Sequence, residues 1–231
     1  MVTIIIPAFN ESDTIDELIK SVIKHPQIRE VIVVNDGSTD NTGKIAEKAG
    51  ARVLNLAQNV GKADAMDIGV RAAQSEIILF LDADVIGFTH EKISNIIDPV
   101  LDGKLEMHIG ILPRPSLSIL SKKVFYFILI LSGMRALTKE LWYKVPRVHK
   151  DGFKIELALN HMARKWGKGL GYEIIPGLIH TTKEKKHGIS SGLWRRVKMI
   201  KEIIFIIFQL YIFEPLKNSF ERLFRIEFNK L

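Results

Sequence analysis

The sequence predicts an α/β fold: a mainly parallel sheet flanked by helices, with C-terminal amphipathic helices appended. Three observations predict it. Short β-branched runs alternate with helix-patterned stretches through the first hundred residues, which is the pattern of a parallel sheet covered on both faces. The first run, Val2–Ile6, has no polar alternation, as expected of a strand buried on both sides. Polar residues suited to chemistry then gather just after the strand runs, where such sheets bind ligands.

The elements follow in order. Val2–Ile6 reads as a strand that Pro7 ends. Ile15, Leu18, Ile19, Val22 and Ile23 keep helical spacing, with Ser12 or Asp13 as the expected N-cap. Val31–Asn35 is a second strand, and a short helix over Lys44–Ala49 stops at Gly50. Arg52–Leu56 is a third strand, Lys62–Gln74 a helix, Ile77–Leu81 a fourth strand, and His90–Leu101 another helix. Beyond Gly103 the pattern predicts a strand over Met107–Ile111, a loop at Pro113 and Pro115, and helices over Lys122–Leu131 and Glu156–Trp166.

Composition sets the bounds. The chain has 231 residues, 47% of them hydrophobic and 26% charged, which excludes a disordered or low-complexity segment. Cysteine is absent, so disulfides, cysteine-ligated metals and thiol nucleophiles are excluded together. The apolar start lacks a basic n-region and runs directly into Pro7-Ala8-Phe9-Asn10-Glu11. That predicts a cytoplasmic protein, or one on the cytosolic face of a membrane. The net charge is +7, but it is unevenly placed. Residues 1–143 carry 15 Lys/Arg against 18 Asp/Glu, and residues 183–231 carry 11 against 5. An acidic body with a basic tail argues against a nucleic-acid partner and toward an anionic surface.

Four strand ends supply the candidate site: Pro7-Ala8-Phe9-Asn10-Glu11-Ser12, Asn35-Asp36-Gly37-Ser38-Thr39-Asp40, Gln58-Asn59-Val60-Gly61-Lys62 and Asp82-Ala83-Asp84. Asp82 and Asp84 are the sharpest feature. Two carboxylates one residue apart at a strand end can share a divalent ion, and Mg²⁺ is commonly held by one or two carboxylates plus substrate phosphates. Such an ion neutralises a diphosphate leaving group. Ser38 and Asp40 are expected to cap the next helix, while Asp36 precedes the cap and is the better ligand contact. Lys62 at a helix N-terminus suits a phosphate neighbour. No GxGxxG follows the first strand and no GxxxxGK[ST] occurs, which argues against dinucleotide oxidoreductases and P-loop NTPases.

Ile4–Glu11, Val34–Asp40, Asn59–Ala65 and Leu81–Asp84, in that order and spacing, resemble the family-2 nucleotide-sugar glycosyltransferases of GT-A fold. The likeness covers about residues 1–90. It implies a Rossmann-like, mainly parallel sheet and a nucleotide, usually uridine, held by the first two segments. Pro7, Ala8, Phe9, Glu11, Asp36, Asn59, Lys62, Asp82 and Ala83 then become candidate nucleotide-sugar contacts. The resemblance gives Asp36 the base and Asp82 and Asp84 a Mn²⁺ or Mg²⁺ ion. The third motif more often has a second glycine where Asp64 stands. Farther on, Leu131–Ala136 resembles a loop beneath the donor sugar and acceptor, making Gly133 and Arg135 further donor-side candidates. Gly152–Glu156 is similar to the segment that supplies an acidic residue near the acceptor. Its usual Glu-Asp pair is here Glu156 alone, with Asp151 as substitute base. His180 resembles a histidine that some relatives place as a further metal ligand, and imidazole suits Mn²⁺ better than Mg²⁺.

The C-terminal part reads separately. Ile203–Phe213 is apolar except for Gln209, but eleven residues span only about 16 Å of a ~30 Å hydrocarbon core. After Glu214-Pro215 a second stripe holds Leu216, Phe220, Leu223, Phe224 and Phe228 beside Lys217, Arg222 and Arg225. Basic, aromatic-rich amphipathic helices suit an anionic membrane surface. The other reading is a homodimer interface or a helical pair closing the core.

The sequence thus predicts a GT-A domain over 1–190 and a basic helical segment over 191–231. The predicted activity is transfer of a sugar from a nucleoside-diphosphate donor, a UDP-sugar, to an acceptor near the membrane, a lipid-linked acceptor being one form of it. If the reaction inverts, Glu156 is the base; if it retains configuration, Glu156 positions substrate. The rival readings are a sugar-nucleotide pyrophosphorylase, disfavoured by Pro7–Glu11 in place of a Gly-rich basic loop, and a non-catalytic nucleotide-sugar-binding or membrane adaptor, disfavoured by the intact Asp82 and Asp84.

Overall fold

The computed structural model describes residues 1–113, 132–150, 152 and 154–181. The chain divides into two units, Met1–Lys183 and Glu184–Leu231, and the fold below is that of the first. The expected helix over Lys122–Leu131, Pro115, Asp151 and the whole basic segment lie outside the described residues.

The strands are β1 (Val2–Ala8), β2 (Ile28–Asn35), β3 (Arg52–Asn55), β4 (Ile77–Phe80), β5 (Val85–Ile86), β6 (Met107–Ile111), β7 (Arg135–Thr138), β8 (Leu170–Ile174) and β9 (Ile179–His180). The helices are α1 (Ile15–Val22), α2 (Thr42–Lys48), α3 (Lys62–Ala72), α4 (His90–Leu101), α5 (Lys139–Lys144) and α6 (Lys154–Lys165). Seven strands form one sheet in the order β3-β2-β1-β4-β7-β6-β8. Only β7 runs against the others: it is antiparallel to both β4 and β6, while β6 and β8 are parallel. β5 and β9 pair separately as a short antiparallel ribbon.

β1 is central, and both its faces are buried. Val2, Ile4, Ile6 and Ala8 join one core with Ile15, Leu18, Ile19 and Val22 of α1 and Ile93, Ile96 and Ile97 of α4. Ile5 points the other way, onto α3 at Gly69. This is why the strand has no polar alternation.

Three local expectations are corrected. Pro7 does not end β1, which continues to Ala8 with Pro7 opposite Val34. The Ile5 carbonyl accepts from Leu81 on the β4 side. Pro7, two residues on, faces the same way past the last β1–β4 pair, so its missing N–H breaks no ladder bond. α1 starts later than Ser12 or Asp13 imply, because the N–H groups of Thr14 and Ile15 first close a turn onto the Glu11 carbonyl; Thr14 is the N-cap. Arg135 and Ala136 are strand residues of β7, not loop, so only 132–134 of the described residues remain as the turn entering that strand.

Candidate active site

The loops after β1 and β2 are laced together. Asn10 adopts the left-handed region at φ 57°. Its N–H donates to Ser38 Oγ at 3.0 Å, and its side-chain oxygen accepts from Thr39 N at 2.8 Å. Ser38 therefore braces the first loop and does not cap α2. Asp40 accepts from Thr42 N at 2.9 Å, one position outside the cap, and from Ser12 N at 3.3 Å. Burial alone would raise the Asp40 carboxyl; the bonds from Thr42 and Ser12 outweigh it and hold it below its ordinary value.

Asp36 organises the third loop. It is 3% exposed, and its two oxygens accept from Val60 N at 2.7 Å and Gly61 N at 3.0 Å. Gly37, at φ +70°, lies so close that a Cβ would fall 2.6 Å from Asn59 N. Positive φ and backbone contact together exclude a side chain there. The carboxylate expected to meet a ligand thus also fixes the loop that carries Lys62.

Lys62 begins α3 and stands between two acids. Its ammonium is 2.8 Å from Asp82 Oδ1 and 3.6 Å from Glu156 Oε1. Burial would lower its pKa, but the Asp82 and Glu156 charges outweigh that and raise it, so Lys62 stays charged. Burial would likewise raise Asp82, and Lys62 holds it low. Glu156 goes the other way. It sits 4% exposed in the first turns of α6, and burial raises its carboxyl despite Lys62 and Arg135. Glu156 Oε2 is buried and makes no hydrogen bond among the described residues.

The remaining site residues arrive on β4, β7 and the small ribbon. Thr14 donates its hydroxyl to the Ala83 carbonyl at 2.8 Å, tying α1 to the Asp82–Asp84 turn. Pairing of Val85 with His180 brings the imidazole to Asp84, with His180 Nδ1 3.3 Å from Asp84 Oδ2. Burial and the Asp82 charge raise Asp84, opposed by His180. Gly133 touches Asp82 so closely that any Cβ would overlap the carboxylate.

A cavity of about 440 Å³ is lined by Pro7, Ala8, Phe9, Glu11, Asp36, Asn59, Gly61, Lys62, Asp82, Ala83, Asp84 and His180. All but Gly61 are candidates from the sequence. Arg135 is not in the lining. It is fully buried, its Nε donating to the Ser132 carbonyl at 3.2 Å and Nη1 to the Glu156 carbonyl at 3.3 Å. It joins the turn beside Asp82 to α6. Glu156 is also outside the lining, behind Lys62. Sequence reasoning missed Thr14, whose signal is a buried hydroxyl at a helix start, and Asp67, a carboxylate on an otherwise buried helix face.

Among the described residues no three His, Asp or Glu side chains form a ready metal cluster, and no helix is long and apolar enough to cross a membrane.

Comparison with known proteins gives the fold and the family. The chain is 37% identical over 91 residues to a poly-beta-1,6-N-acetyl-D-glucosamine synthase of Staphylococcus aureus (strain MSSA476), covering 37% of this chain and 22% of that protein. It is 39% identical over 101 residues to a 4,4'-diaponeurosporenoate glycosyltransferase of Staphylococcus aureus (strain USA300), covering 42% and 27%. These matches span about a quarter of either relative. In three dimensions it resembles glucosyl-3-phosphoglycerate synthase from Mycobacterium tuberculosis, crystallised with Mn²⁺, UDP and phosphoglyceric acid. The TM-score is 0.73 at 23% identity, over 91% of this chain and 78% of that one. The same enzyme with Mg²⁺ and UDP gives a TM-score of 0.65 at 23% identity, over 84% and 74%. This likeness establishes the GT-A fold expected from the sequence. Glycosyl transferase family 2 matches residues 3–162, a span that contains the four strand-end loops, Arg135 and Glu156, and the chain belongs to that family.

Proposed function

We propose that this chain is a metal-dependent glycosyltransferase that moves a sugar from a nucleoside-diphosphate donor, a UDP-sugar, to a hydroxyl acceptor. One observation carries the reading: four strand-end loops enclose a single cavity whose floor offers a fixed ammonium, two carboxylates and an imidazole. The structural relatives crystallised with UDP and Mn²⁺ or Mg²⁺ support it.

Asp82, Asp84 and His180 would hold the metal, converging on it from positions that do not form a ready three-ligand cluster in this structure. The fit rests on the donor set and on Gly133, whose missing side chain leaves the Asp82 carboxylate its place. Two carboxylates and one imidazole suit an ion whose other ligands are diphosphate oxygens and water. When bound, the ion neutralises charge on the departing diphosphate. Lys62, held charged, adds a second cation at the same place. Asp36 and the Pro7–Phe9 segment at the end of β1 hold the nucleoside. Glu156, which lies behind Lys62 with a raised carboxyl and an Oε2 that makes no hydrogen bond among the described residues, is the group assigned to take the acceptor's proton, a role that belongs to an inverting reaction. Asp151 remains the substitute base, Gly133 shapes the donor side, and Arg135 acts from behind it.

The acceptor is proposed to lie at an anionic membrane surface, lipid-linked acceptors included, with the basic segment as a peripheral attachment. The excess of 11 Lys/Arg over 5 Asp/Glu in residues 183–231 supports this. Domain limits of 1–190 and 191–231 go with that proposal, and a homodimer through the same segment is the competing arrangement.

The test is a screen of UDP- and GDP-sugars with Mn²⁺ or Mg²⁺, first for binding by calorimetry, then for donor hydrolysis. Metal-strengthened UDP binding with slow hydrolysis of one UDP-sugar is expected. Absence of nucleotide binding in either metal overturns the reading.

A further inference from the structure

A second charged cluster lies outside the cavity lining, centred on Asp67 of α3. The Asp67 side chain is 6% exposed. Its Oδ1 accepts from Trp142 Nε1 at 2.9 Å and from Lys150 Nζ at 3.4 Å. Its Oδ2 faces Arg71 at 2.8 Å and Arg147 at 3.5 Å. Arg147 also pairs with Asp64, the residue that departs from the commoner glycine. Lys150 is itself buried and lies 4.6 Å over the Trp142 ring. Trp142 is fully buried and packs on Phe80 with ring centroids 5.2 Å apart.

An exposed ion pair here would mean little. A buried carboxylate that meets an indole and a buried ammonium is different, because removing its charge leaves the buried Lys150 unpaired, while Arg71 and Arg147 can turn to solvent. The placement gives the cluster its meaning. α3 starts at Lys62, five residues before Asp67. Phe80 ends β4, two residues before Asp82. Lys150 follows the 3₁₀ turn Arg147–His149 and precedes Glu156 by six residues. Asp67 therefore joins α3, which begins at Lys62, to α5 and to the 147–150 turn, both of which pack against the α6 helix that carries Glu156, and Trp142 extends the tie to Phe80 of β4. Arg135 adds a second tie to α6 through the Glu156 carbonyl and Asn160 Oδ1.

We infer that Asp67 is a positioning residue that fixes the Glu156 carboxylate against Lys62 by clamping the 147–150 turn onto α3. This rests on the proposed function in its claim on turnover, but not in its claim on structure. The family's donor contacts are not involved, since Asp67 does not line the cavity.

The experiment uses the full chain and Asp67→Asn, which keeps the shape and one acceptor for Trp142 while removing the charge. Hydrogen–deuterium exchange should rise over 147–150 and the first turns of α6, and stay unchanged in β1 and β2. Hydrolysis of the fastest UDP-sugar should fall about 10- to 100-fold, since a displacement of ~1 Å at a reacting group costs on the order of 10² in rate. UDP affinity should stay within about twofold, because donor contacts are untouched. In a Glu156→Gln background Asp67→Asn should cost nothing further, as expected of a residue that acts through Glu156. Unchanged exchange over 147–160 overturns the clamp. Equal losses in the two backgrounds overturn positioning and leave Asp67 a general stability residue. If the wild type binds no UDP, the functional reading fails by itself, and the exchange measurement still decides the clamp.

Discussion

Replacing Asp36 separates holding a loop from holding a ligand. In Asp36→Ala the N–H groups of Val60 and Gly61 lose their acceptors, now at 2.7 and 3.0 Å. A hydrogen bond to a charged acceptor contributes about 1.5–3 kcal/mol, so two set a ceiling of about 3–6 kcal/mol. Val60 is 39% exposed, and water can reach the freed groups, so we expect about 2–4 kcal/mol of lost stability. At roughly 2–4 °C per kcal/mol for a chain of this size, Tm should drop by about 5–15 °C. UDP binding should weaken with it. Loss of one charge-assisted contact, about 1.5–3 kcal/mol, corresponds to roughly 10- to 150-fold in Kd. The loss should be similar with and without metal, because Asp36 is not among the candidate metal ligands. Calorimetry with UDP and uridine, alongside thermal melts, checks this. Uridine should lose affinity as UDP does if Asp36 meets the base, whereas a loss confined to UDP would assign Asp36 to the Lys62 loop alone. Unchanged Tm and unchanged UDP affinity would refute both roles.

Asp84→Ala should abolish sugar transfer and donor hydrolysis with the fold intact by circular dichroism; near wild-type turnover in saturating Mn²⁺ would remove Asp84 from the reaction. Donor hydrolysis should rise with pH along an acid limb above the ordinary carboxylate value of ~4.3, because Glu156 must be ionised to act as base and its pKa is raised; Glu156→Gln should lower the rate and flatten that limb. The Asp67 carboxyl is held below its ordinary value, by Trp142, Lys150 and Arg71 against burial. Its stabilisation is therefore complete above about pH 4 and lost as pH falls further, so Asp67→Asn should cost stability at pH 7 but progressively less in acid melts. Deleting Trp194–Leu231 should release the protein from anionic vesicles while UDP binding survives, and salt should weaken binding of the full chain over a Debye length of ~8 Å; a deletion variant unable to bind UDP, or a full chain that ignores vesicles and dimerises, would refute the peripheral attachment.

The parallel half of the fold was legible because burial wrote it into composition. β1 to β4 are short apolar runs separated by helices, and the ligand-bearing loops fall where the topology requires. The antiparallel half was harder. β7 is four residues long and contains a buried arginine, so Arg135 read as a ligand contact when its guanidinium in fact binds backbone carbonyls inside the protein. β8 exposes Tyr172 and Ile174 and sits between glycines, which hides its period. β5 and β9 have two residues each and no pattern to read, yet their pairing brings His180 to Asp84. The caps failed for a related reason. Ser12, Ser38 and Asp40 are cap-type residues, but their polar groups bind across loops 28 residues apart in sequence (or, for Asp40, also one step outside the helix), and no local signal distinguishes the two uses.

The same distinction orders the site. Asp36, Asp82 and Glu156 look alike in a sequence, as acids near strand or helix ends. Their partners make them different: two backbone N–H groups for Asp36, the Lys62 ammonium for Asp82, and an incompletely satisfied, buried position for Glu156. Lys62 cannot neutralise both Asp82 and Glu156 equally from 2.8 and 3.6 Å, and the difference falls on the more deeply buried acid. Asp82 is held ionised and Glu156 is pushed toward the proton-holding form. A diphosphate entering beside Lys62 would compete with both acids for the one ammonium. As that competition draws the ammonium from Glu156, burial is less opposed and the carboxyl rises further, so Glu156 becomes a stronger base that ionises only at higher pH, and Arg135 is the remaining cation that favours its proton-accepting form.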